Sequence, residues 1–330
     1  MRIPLMVALL VTGACAGTQS PDTGATRVGA AAGAPSPDTA RVVTADFQSS
    51  HGSRSYRLYV PAGQRARPLV VMLHGCAQTA ADLALAGRFD SLGAEHGALV
   101  LYPEQPATAN PLRCWNWFTP ANQARDRGEP GIIAELTRHV AAEHGADPAR
   151  VYIGGLSAGG AMAVLTALAY PDLFTAVGTH SGVGWRVATD VPGAFTAMRG
   201  GGVDAPAQAA AAHEAMGRYA RVVPLIAFHG TEDTLAHPSA TEGLVQQFVG
   251  LHSLLAGGAE LRADTVRRDV GGYPVEIRRY ADDDAVVLEH WRVEGLAHAL
   301  SGGNPAARWT DPRGPDAAGE MLRFFMRYRR

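Results

Sequence analysis

"VYIGGLSAGGAM" runs from Val151 to Met162 and holds Ser157 inside Gly155-Leu156-Ser157-Ala158-Gly159. In a chain with 38 glycines among 330 residues, those five residues alone decide little. Their setting decides more. "VYIGG" is a short apolar run of the buried-strand kind, and "AGGAMAVLTALA" reads as a helix. Ser157 therefore falls on a sharp strand-to-helix turn, the context in which a serine is presented as a nucleophile. Such a turn is strained and crowded, so glycines flank it. The helix that starts at Ala158 aims its free N–H groups at Ser157, and the Ala158 N–H becomes a donor for a developing oxyanion.

Outward from this turn, the chain alternates strands and helices. "RSYRLYVP" (Arg54 to Pro61) alternates like a half-buried strand. Buried-strand runs follow at Pro68 to Leu73, Ala98 to Pro103, Arg150 to Gly155, Ala176 to Gly182, Pro224 to Gly230 and Ala285 to Val293. Helical patterns separate several of them. "GIIAELTRHVAAEHG" places Ile132, Ile133, Leu136 and Val140 on one face, and "GEMLRFFMRYRR" closes the chain as an amphipathic helix. This order predicts an α/β fold, a mostly parallel sheet with helices on both faces, formed as one domain by residues 41–330. The long Gly/Ala-rich stretch from Val183 to Val223 is expected to contain a helix, either as a plain covering element or as an insertion overhanging the site.

A serine hydroxyl needs a base, and the base needs an orienting acid. On this fold they follow the serine in the order acid, then histidine, each in a loop after a later strand. Asp233 stands just past the strand in "PLIAFHGTEDTLAHP", with Glu232 and His237 as rivals. His298 stands in the loop after "AVVLEHWRV", whereas His290 lies within that strand and reads as a satisfied structural histidine. The run Asp282-Asp283-Asp284 reads as a turn between strands. A second oxyanion donor is expected from the loop "HGCAQTA" after "PLVVML", with the Cys76 N–H as the candidate and His74 in a structural role. Trp115, Trp117 and Phe118 cluster in the loop "NPLRCWNWF". With Trp185 and Trp309, Trp115 and Trp117 fall where a binding wall would stand, a place where aromatic rings suit apolar acyl groups or sugars. Trp291, within a strand, reads as core.

The N-terminus "MRIPLMVALLVTGACAG" has an early cation, Arg2, an apolar run and then small residues, the layout of a secretory signal over residues 1–16. Cleavage after Ala16 competes with a lipobox reading in which Cys15 is lipidated and anchors the chain to a membrane. Residues 17–40 are Gly/Ala/Pro/Ser/Thr-rich and read as a linker. Export to the periplasm or beyond makes a disulfide the expected state of Cys76 and Cys114, with two buried thiols as the alternative. Formal net charge is −2, without a basic tract, so nucleic acid is not an expected partner. No histidine or cysteine spacing suits a metal, and no phosphate-binding glycine loop appears, so no cofactor is expected.

Eight ordered segments carry a resemblance: "VVMLHGCAQTAADL", "VLYPEQ", "RCWNWF", "DPARVYIGGLSAGGAMA", "YPDLFTAVGTHSG", "HGTEDTLAHP", "GLAHALSGGN" and "DPRGPDAAGEMLRFF". Together they resemble the polyhydroxybutyrate (PHB) depolymerase family esterases, α/β-hydrolases similar to feruloyl and acetyl xylan esterases. The resemblance covers about Tyr56 to Tyr328. It implies Ser157 as nucleophile, Asp233 as acid, His298 as base, an ester as substrate and a Cys76–Cys114 bridge. Family members often read "GHAW" where this chain has "AHAL", and "HSGLPYG" where it has "HSGVGWR". The chain is expected to lack an appended polymer-binding domain. A peptidase or acyltransferase on the same fold, and a lipid-anchored binding protein with an inactive site, are the competing readings.

Overall fold

The computed structural model describes residues 39–63 and 66–330. The expected signal segment, Cys15 and nearly all of the linker lie outside these residues. Ten strands form one sheet: β1 (Arg41–Ser49), β2 (Gly52–Val60), β3 (Arg67–Leu73), β4 (Leu99–Pro103), β5 (Ala146–Leu156), β6 (Ala176–His180), β7 (Leu225–Gly230), β8 (Arg262–Val270), β9 (Tyr273–Asp282) and β10 (Ala285–Val293). Their order is β1-β2-β4-β3-β5-β6-β7-β10-β9-β8. The six central strands, from β4 to β10, pair in parallel. The flanks are antiparallel hairpins, β1 with β2 on one side and β8-β9-β10 on the other.

Burial explains the pattern of residue types. Strands β4, β6 and β7 are buried at every position and read as continuous apolar runs, because helices cover both faces. Strand β1 alternates half-buried and exposed residues. Strand β8, "RADTVRRDV", is exposed or half-buried throughout and forms a charged edge.

The helices are α1 (Ala80–Ala86), α2 (Phe89–His96), α3 (Gly128–His144), α4 (Ala158–Ala169), α5 (Val191–Met198), α6 (Ala205–Met216), α7 (Pro238–Leu255) and α8 (Ala317–Phe325). Ile132, Ile133, Leu136 and Val140 of α3 are all buried. Helix α4 is buried along its whole length, which accounts for its small and apolar composition. The Val183–Val223 stretch holds two helices rather than one, α5 and α6, each capped by an aspartate: Asp190 accepts from the Gly193 N–H and Asp204 from the Ala207 N–H. Short strands β11 (Leu300–Ser301) and β12 (Thr310–Asp311) pair beside the loop that carries His298.

Candidate active site

The turn between β5 and α4 is as tight as its glycines suggest. Ser157 has φ 55° and ψ −122°, a region that side-chain-bearing residues rarely adopt. The surrounding backbone holds it there: the Ser157 N–H donates to the His180 carbonyl at 2.8 Å, and the Ser157 carbonyl accepts from Ala161 N–H at 2.9 Å. A Cβ at Gly159 would collide with the Leu73 and His74 carbonyl oxygens, and one at Gly155 with the backbone of Gly159. Ser157 occupies the N-cap position of α4, yet its hydroxyl makes no cap bond and instead lines a cavity.

That cavity, about 590 Å³, gathers Ser157, Ala158, Cys76 and His298. The His298 Nδ1 lies 2.7 Å from Asp233 Oδ2. Asp233 is buried; its Oδ1 accepts from the Leu235 and Ala236 N–H groups at 3.0 and 2.8 Å, and its Oδ2 is 3.2 Å from His229 Nε2. Burial works against the charge on Asp233. The hydrogen bonds from His229 and His298, the charge of His298 and the Ala236 N–H together outweigh burial and hold the carboxyl well below the usual carboxylate range. His229 is itself fixed between the Ala236 carbonyl at 2.7 Å and Thr241 Oγ1 at 2.6 Å. The sequence reading did not single it out. A histidine four residues before the acid, at the end of the same strand, is the signal that could have found it. Among the described residues Ser157 Oγ and His298 share no hydrogen bond, although both line the cavity. The rivals stand apart: Glu232 is exposed, and His237 caps α7 and bonds to Ser239.

His74 is buried behind the loop "HGC". Its Nε2 accepts from the Gln105 N–H at 3.0 Å, so its Nδ1 carries the proton and donates to the Gly75 carbonyl at 2.8 Å. In a trans peptide the carbonyl and N–H point opposite ways. Holding the Gly75 carbonyl therefore aims the Cys76 N–H away from His74. Gln78 Oε1 fixes the adjacent Gly75 N–H at 2.8 Å.

Cys76 and Cys114 form a disulfide. The two loops are also joined by the Ala77 N–H to the Leu112 carbonyl at 2.7 Å. A second support was not visible in the sequence. Glu129, in the first turn of α3, is 5% exposed and accepts from the Asn116 N–H and Nδ2, each at 2.8 Å. It also accepts from Gln105 Nε2 at 2.6 Å. Burial pushes its carboxyl up from the ordinary value, with the bonds from Gln105 and Asn116 and the charge of Arg54 opposing.

The tryptophans divide. Trp117 lines the cavity with Phe118, and Trp309 stands at its mouth, 6.3 Å from the His298 ring. Trp115 and Trp185 do not. Both are completely buried in the core, which corrects their expected place in the binding wall. Trp115 packs behind the loop, its ring 5.8 Å from His74 with the Arg54 guanidinium above it. The Trp185 N–H donates to Gln247 Oε1 at 2.8 Å, and this bond draws the chain down onto α7. His290 is buried as expected, but neither ring nitrogen has a hydrogen-bond partner among the described residues; Nδ1 lies 3.7 Å from Glu242 Oε2. The aspartate run does form a hairpin turn, between β9 and β10.

A mostly parallel sheet covered on both faces, with a serine on the turn after a central strand, defines the α/β-hydrolase fold. Residues 54–272 match the esterase PHB depolymerase family, and the chain belongs to it. It is 34% identical over 257 residues to poly(3-hydroxyalkanoate) depolymerase C of Paucimonas lemoignei, covering 77% of this chain and 60% of that one. It is 29% identical over 215 residues to acetylxylan esterase A of Aspergillus oryzae, covering 62% and 69%. In fold it is similar to the acetyl xylan esterase from Aspergillus awamori, with a TM-score of 0.65 at 21% identity over 78% of this chain and 94% of that one. It is also similar to an S-formylglutathione hydrolase from Agrobacterium tumefaciens, with a TM-score of 0.52 at 14% identity over 89% and 97%.

Proposed function

We propose that this chain is an exported serine carboxylic-ester hydrolase acting on hydroxyalkanoate or other short acyl and aromatic esters. The observation that carries the reading is the 2.7 Å bond between Asp233 and His298 in the cavity that Ser157 lines. Asp233 holds the His298 ring by Nδ1, which leaves Nε2 to take the proton of Ser157 as the hydroxyl attacks the ester carbonyl. The N–H groups of Cys76 and Ala158 bind the oxyanion of the tetrahedral intermediate. His298 then protonates the leaving alcohol. A water molecule attacks the acyl-enzyme by the same route and releases the acid, so one ester and one water give one acid and one alcohol. Membership of the esterase family supports the reaction class, and the similarity to a depolymerase supports the substrate class. The similarities to acetylxylan and feruloyl esterases support a second reading, acetylated or feruloylated polysaccharide. The signal-like N-terminus and the disulfide support export.

The test is hydrolysis of p-nitrophenyl esters of increasing chain length, hydroxybutyrate oligomers, methyl ferulate and acetylated xylan, by the chain and by Ser157→Ala. The expected loss in the variant is roughly a thousandfold or more in kcat/KM. Retention of a large share of the activity by Ser157→Ala would refute the mechanism, and a fluorophosphonate probe that fails to label Ser157 would point to an inactive binding protein.

A further inference from the structure

We propose that Arg199 forms a carboxylate-binding subsite in this cavity, and that the preferred substrates are esters whose apolar chain ends in a free carboxylate. The inference rests on the ester-hydrolase reading above.

The cavity wall is largely apolar, with Trp117, Phe118, Val183 and Met198 among its residues. Large apolar side chains also stand open to solvent around it: Leu112, Val191, Phe195, Leu235 and Trp309. Against this surface one side chain carries a permanent charge. Arg199 lines the cavity, and neither aspartate nor glutamate is among the described residues that line it. The guanidinium is exposed and has no hydrogen-bond or ion-pair partner among the described residues.

Its backbone, by contrast, is fixed. Arg199 closes α5, and its N–H bonds to the Phe195 and Thr196 carbonyls at 3.2 and 3.1 Å. The preceding carbonyl, of Met198, accepts from the His237 N–H at 2.6 Å, which ties this end of α5 to the loop following Asp233. The fold thus anchors the residue and leaves its five N–H donors for a ligand. A guanidinium gains little from a neutral acyl chain. A carboxylate is its natural complement, taken in a two-pronged hydrogen bond. The apolar wall and the single cation together describe a ligand that is greasy along its length and anionic at one end.

Two kinds of ester have this shape. In an acid-terminated hydroxyalkanoate oligomer the carboxylate lies on the alcohol side of the scissile bond. In a half-ester of a dicarboxylic acid it lies on the acyl side. Matched pairs separate them: (R)-3-hydroxybutyrate trimer as free acid and as methyl ester, and p-nitrophenyl hydrogen adipate against p-nitrophenyl methyl adipate. Measured on the full chain at low salt, the free acid is expected to lead in kcat/KM by about tenfold in one pair, and added salt to compress the lead. The pair that shows the lead identifies the side. Arg199→Gln is expected to bring the acid-to-ester ratio to about one, and Arg199→Lys to keep part of it. Ratios near one for the unmutated chain in both pairs, or a preference that survives Arg199→Gln, would overturn the subsite alone. A chain that hydrolyses neither these esters nor p-nitrophenyl butyrate would overturn the ester-hydrolase reading with it.

Discussion

Replacing both Cys76 and Cys114 by alanine separates the stability of the two loops from their working geometry. The cross-link closes a loop across a sequence separation of 38 residues. Loop-closure entropy for that length amounts to about 4 kcal/mol of stabilisation, which acts on the unfolded chain. That is a large share of the roughly 5–15 kcal/mol by which a domain is stable. In the folded state the same loops keep other supports: the Ala77–Leu112 backbone bond, the Gln105 Nε2 bond to the Cys114 carbonyl at 3.0 Å, and the Glu129 bonds to Asn116. The backbone N–H of residue 76 also survives the substitution. The double variant is therefore expected to lose about 4 kcal/mol in urea unfolding followed by circular dichroism, with a steeper slope because the unfolded chain expands without its cross-link, while kcat/KM for p-nitrophenyl butyrate falls by less than roughly tenfold. A stability loss under about 1 kcal/mol would refute the entropic reasoning. A collapse of turnover in a variant that is still folded would show that the disulfide, and not the surrounding hydrogen bonds, aims the Cys76 N–H.

Gly159→Ala is expected to destabilise the fold by roughly 3 kcal/mol or more, because the added methyl meets two backbone carbonyls that cannot move aside; a thermal melt within two degrees of the parent would contradict this. Trp115→Ala and Trp117→Ala should part company. Both remove buried side chains and cost about 3–5 kcal/mol, but only the second, which lines the cavity, also raises KM for aryl esters, as melts and kinetics on both variants will show. Burial depresses His180 and His290 to about 3 in the folded chain, against about 6.5 when unfolded. Between these values the unfolded chain binds more protons, so stability is lost as pH falls below about 6.5, and each histidine contributes about 2 kcal/mol of that loss by pH 5. Urea midpoints that do not drop between pH 7 and pH 5 would argue against it.

Much of the fold was legible because the central strands are buried on both faces and have no choice but to be apolar. Strands β1 and β8 escaped the reading, and β9 was marked only by the aspartate turn that ends it. Strand β8 presents "RADTVRRDV" to solvent on both sides, so neither alternation nor an apolar run marks it; pairing with β9 makes it a strand. Between β3 and β4 the helical residues divide into α1 and α2 where Gly87 and the left-handed Arg88 redirect the chain. Ser157, Asp233 and His298 are brought to one end of the sheet for a different reason: each follows the end of a strand, and strand order fixes which ends converge. The tryptophans were not legible in the same way. Position in a loop says which end of the sheet a ring occupies, but its inward or outward turn depends on packing against residues far away in sequence, such as His74 and Arg54 around Trp115.

The ring of solvent-facing apolar residues around the cavity has a consequence for engineering. Leu112, Val191, Phe195, Leu235 and Trp309 are between 37% and 67% exposed, so each side chain leaves much of its surface outside the core. Ser157, the Cys76 and Ala158 N–H groups and His298 are carried instead by loops and turns that follow buried strands, on a backbone that packing holds in place. A combinatorial library at those five rim positions can therefore reshape what the mouth admits while drawing little on the stability that keeps the chemistry aligned. The architecture sorts its positions in advance into those open to selection and those closed to it.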